Sequence, residues 1–268
     1  MTNSEILAAA MRQSAVDLGC SPADFARTHP VVVTAAESPD ARKYLKLPYA
    51  AYFVSYGSNI VCAAAPELRE TVEDYLAKYP LIHSFEPPHM HMLHDALRPL
   101  GYGIALTSEY WLPDVDILKP LDCGYEMRIL TQPDLAELYL PEWSNALCEP
   151  RAELDMLGVG AYDGGRLVGL AGCSADCADM WQIGIDVLPE YRRKGIAAAL
   201  TSRLAAEILD RDKVPFYCCA WCNLASARNA VKSGFRPAWT EMDVRSLALI
   251  EAMNTARTQD IFVREDEP

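Results

Sequence analysis

Between Ile183 and Leu200 the chain reads IGIDVLPEYRRKGIAAAL, and no other segment narrows its fold as much. An apolar, partly β-branched run ends at Val187, and Pro189 stops it. Arg192, Arg193, Lys194 and Gly195 then make a basic turn, and no polar side chain follows until Thr201. The pattern is a strand, a tight turn and a helix buried on one face, which requires a sheet for the helix to pack on. The first N–H groups of a helix have no partner within it, and the helix dipole adds positive charge there. Gly195 gives the turn a backbone freedom that other residues resist. Three cations at such a place, in an otherwise acidic protein, read as a site for a pyrophosphate or similar anion. The plainer alternative is a solvated surface turn above an alanine-rich helix. Neither G-x-x-x-x-G-K-S/T nor G-x-G-x-x-G is present, so the turn is neither a P-loop nor a dinucleotide fingerprint.

The neighbouring segments extend the α/β reading. Tyr125 to Leu130 reads as a strand, Thr131 caps a helix from Pro133, and Trp143 to Leu157 reads as a helix interrupted near Pro150. A hairpin turning at Asp163-Gly164-Gly165 precedes the strand Met180 to Val187. After the helix Ile196 to Leu209 come a strand Val214 to Trp221, a helix Ala225 to Lys232 and a last strand from Phe235. Upstream, Met1 to Leu18 reads as a helix, Ser21-Pro22 caps a short one, and Val31 to Ala35 is a short strand. Tyr49 to Tyr56 and Asn59 to Ala64 read as a hairpin. Helices follow from Pro66 and from Pro87-Pro88, then a strand from Ile104 to Trp111. Leu112 to Gly124 holds two prolines and no period, and reads as a linker. The division expected is an N-terminal α/β domain, 1–120, and a second domain, 125–268. The acidic end, Arg264 to Pro268, reads as a frayed tail.

Composition narrows the function classes. The formal net charge is -13, with -6 in residues 1–124 and -7 in the rest, so the acidity is not confined to a tail. A broad negative field disfavours nucleic acid and anionic membrane as partners. The N-terminus lacks the basic and long apolar regions of a secretory signal, and no run of about 18 apolar residues occurs. Nine cysteines, an odd number, are scattered through apolar segments, which fits reduced thiols and a cytoplasmic location. Cys219-Ala-Trp-Cys222 has C-x-x-C spacing. With Cys173 and Cys177 it gives a four-thiolate zinc alternative, against which strand alternation argues. His89, His91 and His94 stand as H-x-H-x-x-H, with His83 nearby, and read as packing or capping residues rather than metal ligands.

Arg192-x-x-Gly195-x-Ala197, with Asp186-Val187-Leu188-Pro189-Glu190-Tyr191 before it and Asn223-x-x-Ser226 then Gly234-Phe235 after it, resembles the GNAT superfamily of acyl-CoA-dependent N-acetyltransferases. The resemblance covers about residues 125–245. It implies a mixed α/β sheet of that fold, with acetyl-CoA as co-substrate. Ile185 and Val187 would face its acetyl and pantetheine end, and the Val187 backbone N–H would stabilise the oxyanion. Arg192, Arg193, Lys194, Gly195, Ile196 and Ala197 would wrap the pyrophosphate. Asn223 and Ser226 would lie beside the pantetheine arm, which runs between two splayed strands. No metal is implied.

The resemblance also exposes a gap. The family often places a tyrosine acid seven residues after the asparagine, and here that residue is Ala230. Ser226 is the catalytic candidate beside Val187, with Tyr217 and Cys222 also nearby. The first half contains no such motif. It is either a degenerate repeat of the same fold, with a strand-like step near Ile82, or an unrelated α+β cap. In either case it would shape the acceptor site or make a homodimer contact. The reading is an N-acetyltransferase acting on a primary amine of a small molecule, or on a protein amine, by direct transfer in a ternary complex. A non-catalytic acyl-CoA sensor or assembly module is the alternative.

Overall fold

The computed structural model describes residues 1–79 and 81–255. The acidic end lies outside the described residues. In chain order the strands are β1 (Val31–Thr34), β2 (Ala51–Ser55), β3 (Val61–Ala64), β4 (Tyr102–Pro113), β5 (Glu126–Thr131), β6 (Asp155–Asp163), β7 (Arg166–Ser174), β8 (Met180–Val187), β9 (Val214–Ala220) and β10 (Phe235–Ser246). The α-helices are α1 (Asn3–Leu18), α2 (Arg69–Lys78), α3 (Pro87–Leu97), α4 (Gln132–Leu135), α5 (Ile196–Leu209) and α6 (Leu224–Lys232). Tertiary contacts group them into two compact units, and neither is a single stretch of chain. The first holds Met1–Ser14, Asp40–Leu45 and Ser108–Trp239. The second holds Ala15–Pro39, Lys46–Thr107 and the described residues from 240 on.

In the second unit β1 runs parallel to β3, β3 antiparallel to β2, and β2 antiparallel to residues 240–244 of β10. Its core gathers Phe53, Ile60, Leu68, Val72, Leu76, Leu93, Leu97 and Met242. The step expected as strand-like near Ile82 is instead a 3-10 turn, Leu81–Phe85. The Tyr75 hydroxyl donates to the Ser84 carbonyl at 2.7 Å, and the Ser84 hydroxyl donates to the Tyr79 carbonyl. Both bonds hold the segment against the end of α2 and leave it in helical form.

The first unit carries a mixed sheet. β5, β6, β7 and β8 pair antiparallel in sequence, β8 runs parallel to β9, and β9 runs antiparallel to residues 108–111 of β4. One face is covered by α5, whose Ile196, Leu200, Leu204 and Ile208 are essentially fully buried. Each such side chain contributes about 1.5–3 kcal/mol relative to exposure. The stretch Leu112 to Gly124 is packed rather than free. Asp114 accepts from Asn3, pairs with Arg236 and bonds through its N–H to the Gly234 carbonyl, and the Leu121 N–H donates to Ser202 Oγ at 3.0 Å.

Residues 143–157 depart from the expected helix. They form 3-10 turns at Pro141–Trp143 and Glu149–Leu154, and β6 already begins at Asp155. One helical turn forms, the Leu147 N–H bonding to the Trp143 carbonyl, and carboxylates on β8 and β6 hold neighbouring N–H groups, including that of Cys148, which the next turn would need. Asp186 takes those of Asn145 and Ala146 at 2.9 and 2.8 Å, and Asp155 takes that of Cys148 at 2.9 Å. The helix expected from Pro133 is the single turn α4, fixed by a reciprocal Thr131–Asp134 capping box.

Candidate active site

The turn between β8 and α5 takes the conformation that its sequence suggests. Arg193 has φ +62° and Gly195, at the N-cap, has φ +85°. The Ala199 N–H bonds back to the Gly195 carbonyl, so the N–H groups ahead of it open the helix without an intrahelical acceptor. Arg192 is folded against the strand end, its Nε donating to the Val187 carbonyl at 3.2 Å. A groove of about 250 Å³ lies here, lined by Val187, Arg192, Arg193, residues 195–198 and one face of α6. That face brings Arg228 and Lys232, two cations one helical turn apart. Lys232 Nζ stands 3.9 Å from the point a Cβ at Gly195 would occupy. Neither Arg193, Arg228 nor Lys232 has an ion-pair partner among the described residues, so the groove carries uncompensated positive charge in a protein of net charge -13.

Beside this groove two strands part. β8 and β9 are paired only at Met180–Val214, Trp181–Pro215 and Gln182–Phe216, and beyond Gln182 the ladder stops. The Leu188 N–H donates to the Val168 carbonyl on the β7 side. Backbone direction alternates along a strand, so the Val187 N–H is turned to the other edge, where β9 has diverged. The Ile185 and Val187 carbonyls on that edge are taken by side chains, Asn145 Nδ2 at 2.8 Å and Arg192 Nε.

The loop 144–148 covers part of this opening, and two glycines let it approach. A Cβ at Gly184 would stand 2.0 Å from the Asn145 carbonyl oxygen, and one at Gly172 2.2 Å from that of Ala146. Any larger residue at either position displaces the loop. Under and beside it is a cavity of about 430 Å³, reached by Asp155, Ser174, residues 182–184 and 217–220, Asn223 and Ser226. Inside it the Tyr217 hydroxyl and Ser226 Oγ are 2.6 Å apart. Burial pushes the Tyr217 pKa above the ordinary tyrosine value, so the hydroxyl keeps its proton at neutral pH. Burial likewise raises the carboxyls of Asp155 and Asp186.

The structure therefore gathers most of the expected site residues and separates a few. Val187, Arg192, Arg193, Gly195, Ile196 and Ala197 line one groove, with the Ile196 side chain itself buried in the core. Asn223 caps α6 through the Ser226 N–H and, with Ser226, lines the larger cavity. Ile185 lines neither and packs on the core under α5. Lys194 is turned away, its ammonium 4.5 Å from the Tyr191 ring centroid and 3.4 Å from the Tyr125 hydroxyl. Ala230 is fully buried, leaving no functional group at that position. Arg228 and Lys232 were not among the expected residues, although their i, i+4 spacing put them on one helix face.

Residues 114–240 match the family model described as GNAT acetyltransferase. This stretch is a GNAT acetyltransferase domain. The protein is thus an acyltransferase with a mixed α/β fold. No curated protein matches the chain in sequence. Among solved structures, a putative GNAT-family acetyltransferase from Novosphingobium aromaticivorans is similar at 17% identity, over 90% of this chain and 95% of that one, with TM-score 0.43. A GCN5-related N-acetyltransferase-like protein from Streptococcus suis aligns at 20% identity over 60% and 69% of the two chains, with TM-score 0.42. An aminoglycoside N-acetyltransferase in complex with CoA aligns at 17% identity over 45% and 93%, with TM-score 0.35.

The other signals in the sequence take different places. The nine cysteines are thiols outside any disulfide, and burial pushes the Cys173 thiol up to about 12 and raises that of Cys219. Cys173, Cys177, Cys219 and Cys222 do not converge. Among the described residues the one set of candidate ligand atoms that does is His83, Glu86 and His89, at the exposed start of α3. His91 and His94 are not part of it. No helix among the described residues is long and apolar enough to cross a membrane.

Proposed function

We propose that the GNAT domain moves an acetyl group from acetyl-CoA to a primary amine of a small molecule, by direct transfer in a ternary complex. One observation carries the reading. The left-handed turn at Arg193–Gly195, ringed by free cations, stands next to a strand pair that opens just where its backbone N–H groups face outward. The turn and the α6 cations suit a pyrophosphate, and the opening suits the arm that joins it to a thioester. The thioester supplies an activated acyl group with a good leaving sulfur.

The chain's own residues cover the remaining needs. The Val187 N–H donates to the carbonyl oxygen as negative charge develops on it. The walls around residues 144–148 and 217–220 hold amine and acyl carbon together, and proximity supplies a large share of the rate. As the N–C bond forms and the C–S bond breaks, the Tyr217 hydroxyl gives its proton to the sulfur. Ser226 hands Tyr217 a replacement, and the proton lost by the amine returns through water to Ser226, so both hydroxyls end as they began. Tyr217 thus fills from β9 the role for which Ala230 has no side chain. The raised Cys219 thiol supports direct transfer over an acyl-cysteine route.

Calorimetry with acetyl-CoA, followed by thiol release against a panel of primary amines, tests this function. Micromolar binding and amine-dependent thiol release are expected. Binding without turnover of any amine would favour an acyl-CoA sensor, and no binding would overturn both readings.

A further inference from the structure

The larger cavity has a polar floor built by strand register. Ser174 on β7 is the direct partner of Gln182 on β8, and Asp155 on β6 is the direct partner of Ser174. Residues directly opposite on neighbouring strands point to the same face about 5 Å apart, so the three side chains form one row, and all three line the cavity. The row holds unused hydrogen-bonding capacity. Ser174 Oγ is buried without a partner. Asp155 is 1% exposed, and both its bonds, from the Cys148 N–H and the Tyr139 hydroxyl, go to Oδ2, leaving Oδ1 unpaired. Gln182 gives its amide N–H to Cys218 Sγ, which leaves its carbonyl oxygen as an acceptor.

Charge decides what such a floor takes. Arg151 also lines the cavity, but its guanidinium is engaged by the fully buried Asp176. Asp155 makes no ion pair among the described residues, and the nearby Arg151 charge offsets only part of what burial does to it. Its burial raises its pKa, so the ionised form is held at a cost that a bound cation would relieve. A buried carboxylate, a hydroxyl and an amide oxygen in a row offer acceptors to a group with several N–H donors, and an alkylammonium is such a group. The row lies level with Gln182, three to five residues along β8 from Ile185 and Val187. At the rise of a strand that is roughly 10–15 Å from the acyl end.

We propose that Asp155, Ser174 and Gln182 form a subsite for a second ammonium group of the acceptor, which makes the acceptor an elongated diamine or polyamine. The inference rests on the acetyl-transfer reading and narrows its substrate class. One amine of the acceptor reaches the thioester while the other is held on the polar row.

The test compares diaminoalkanes, from propane to octane and longer, with monoalkylamines of the same length by thiol release in the full chain. The expected wild-type result is kcat/KM about 10- to 100-fold higher for the long diamines, with a length optimum and the difference carried by KM. Asp155→Asn should abolish the preference for diamines and leave acetyl-CoA affinity unchanged, and the Ser174 variant, whose hydroxyl holds no part of the 144–148 wall, should leave monoamine turnover unchanged. Ser174→Ala removes a hydroxyl that has no folding partner. It should reduce the preference by about threefold to tenfold even if Asp155→Asn does not fold. Equal use of diamines and monoamines by the wild type would overturn the proposal while leaving acetyl transfer intact. Variants that lower both substrate types equally would also overturn it. No turnover of any amine would overturn acetyl transfer, and this inference with it.

Discussion

Two stretches of the chain run in similar order and differ at two points. In one, β3 leads to α2, a short turn, α3 and β4. In the other, β8 leads to α5, β9, α6 and β10. The helix α2 opens through a right-handed 3-10 turn, Pro66–Leu68, with Glu67 and Glu70 at its start. The helix α5 opens through left-handed residues with no acidic side chain in its first turn. The other difference is the middle piece, where the first stretch has the turn Leu81–Phe85 and the second has a strand that parts from its neighbour. A helix N-terminus is therefore not an anion site by itself. The site proposed at α5 rests on three further features: the turn aims its N–H groups, its first turn holds no acidic side chain, and a second helix adds cations.

Removing what only the second stretch has should give graded losses. Tyr217→Phe deletes the hydroxyl proposed as proton donor and should lower kcat by about 100-fold or more, with acetyl-CoA affinity unchanged by calorimetry. Ser226→Ala should cost less, since water can refill the tyrosine. A kcat equal to wild type in Tyr217→Phe would return the acid role to solvent. Gly195→Val forces a β-branched residue into φ +85° and gives this turn the steric character of an ordinary helix start. It should weaken acetyl-CoA binding by about 30- to 100-fold, and a thermal melt near the wild-type midpoint would place the effect at the turn. Replacing Arg228 and Lys232 by Ala should weaken binding by about threefold to tenfold and flatten its dependence on salt. Unchanged salt dependence would mean that the α6 cations do not face the ligand.

Legibility in the sequence followed distance along the chain. The turn Arg192–Ala197 and the helix after it were readable because a few consecutive residues set their torsions and period. The loop 144–148 was not. Its helix-like pattern gives one turn and then loses the Cys148 N–H to the Asp155 carboxylate on β6, while Asp186 on β8 holds the start of the loop. The pair Tyr217–Ser226 was visible only as two residues near each other in sequence, and their 2.6 Å contact needs β9 and α6 to pack.

By itself, then, the sequence determined a strand, a cationic left-handed turn and a buried helix, since Pro189, Gly195 and an apolar run act locally. Tertiary structure alone decided which side chains face the opening. Arg228 and Lys232 arrive by helix packing, and Asp155, Ser174 and Gln182 align by strand register. The register depends on burial and pairing between strands that the sequence holds far apart, and no short window encodes it.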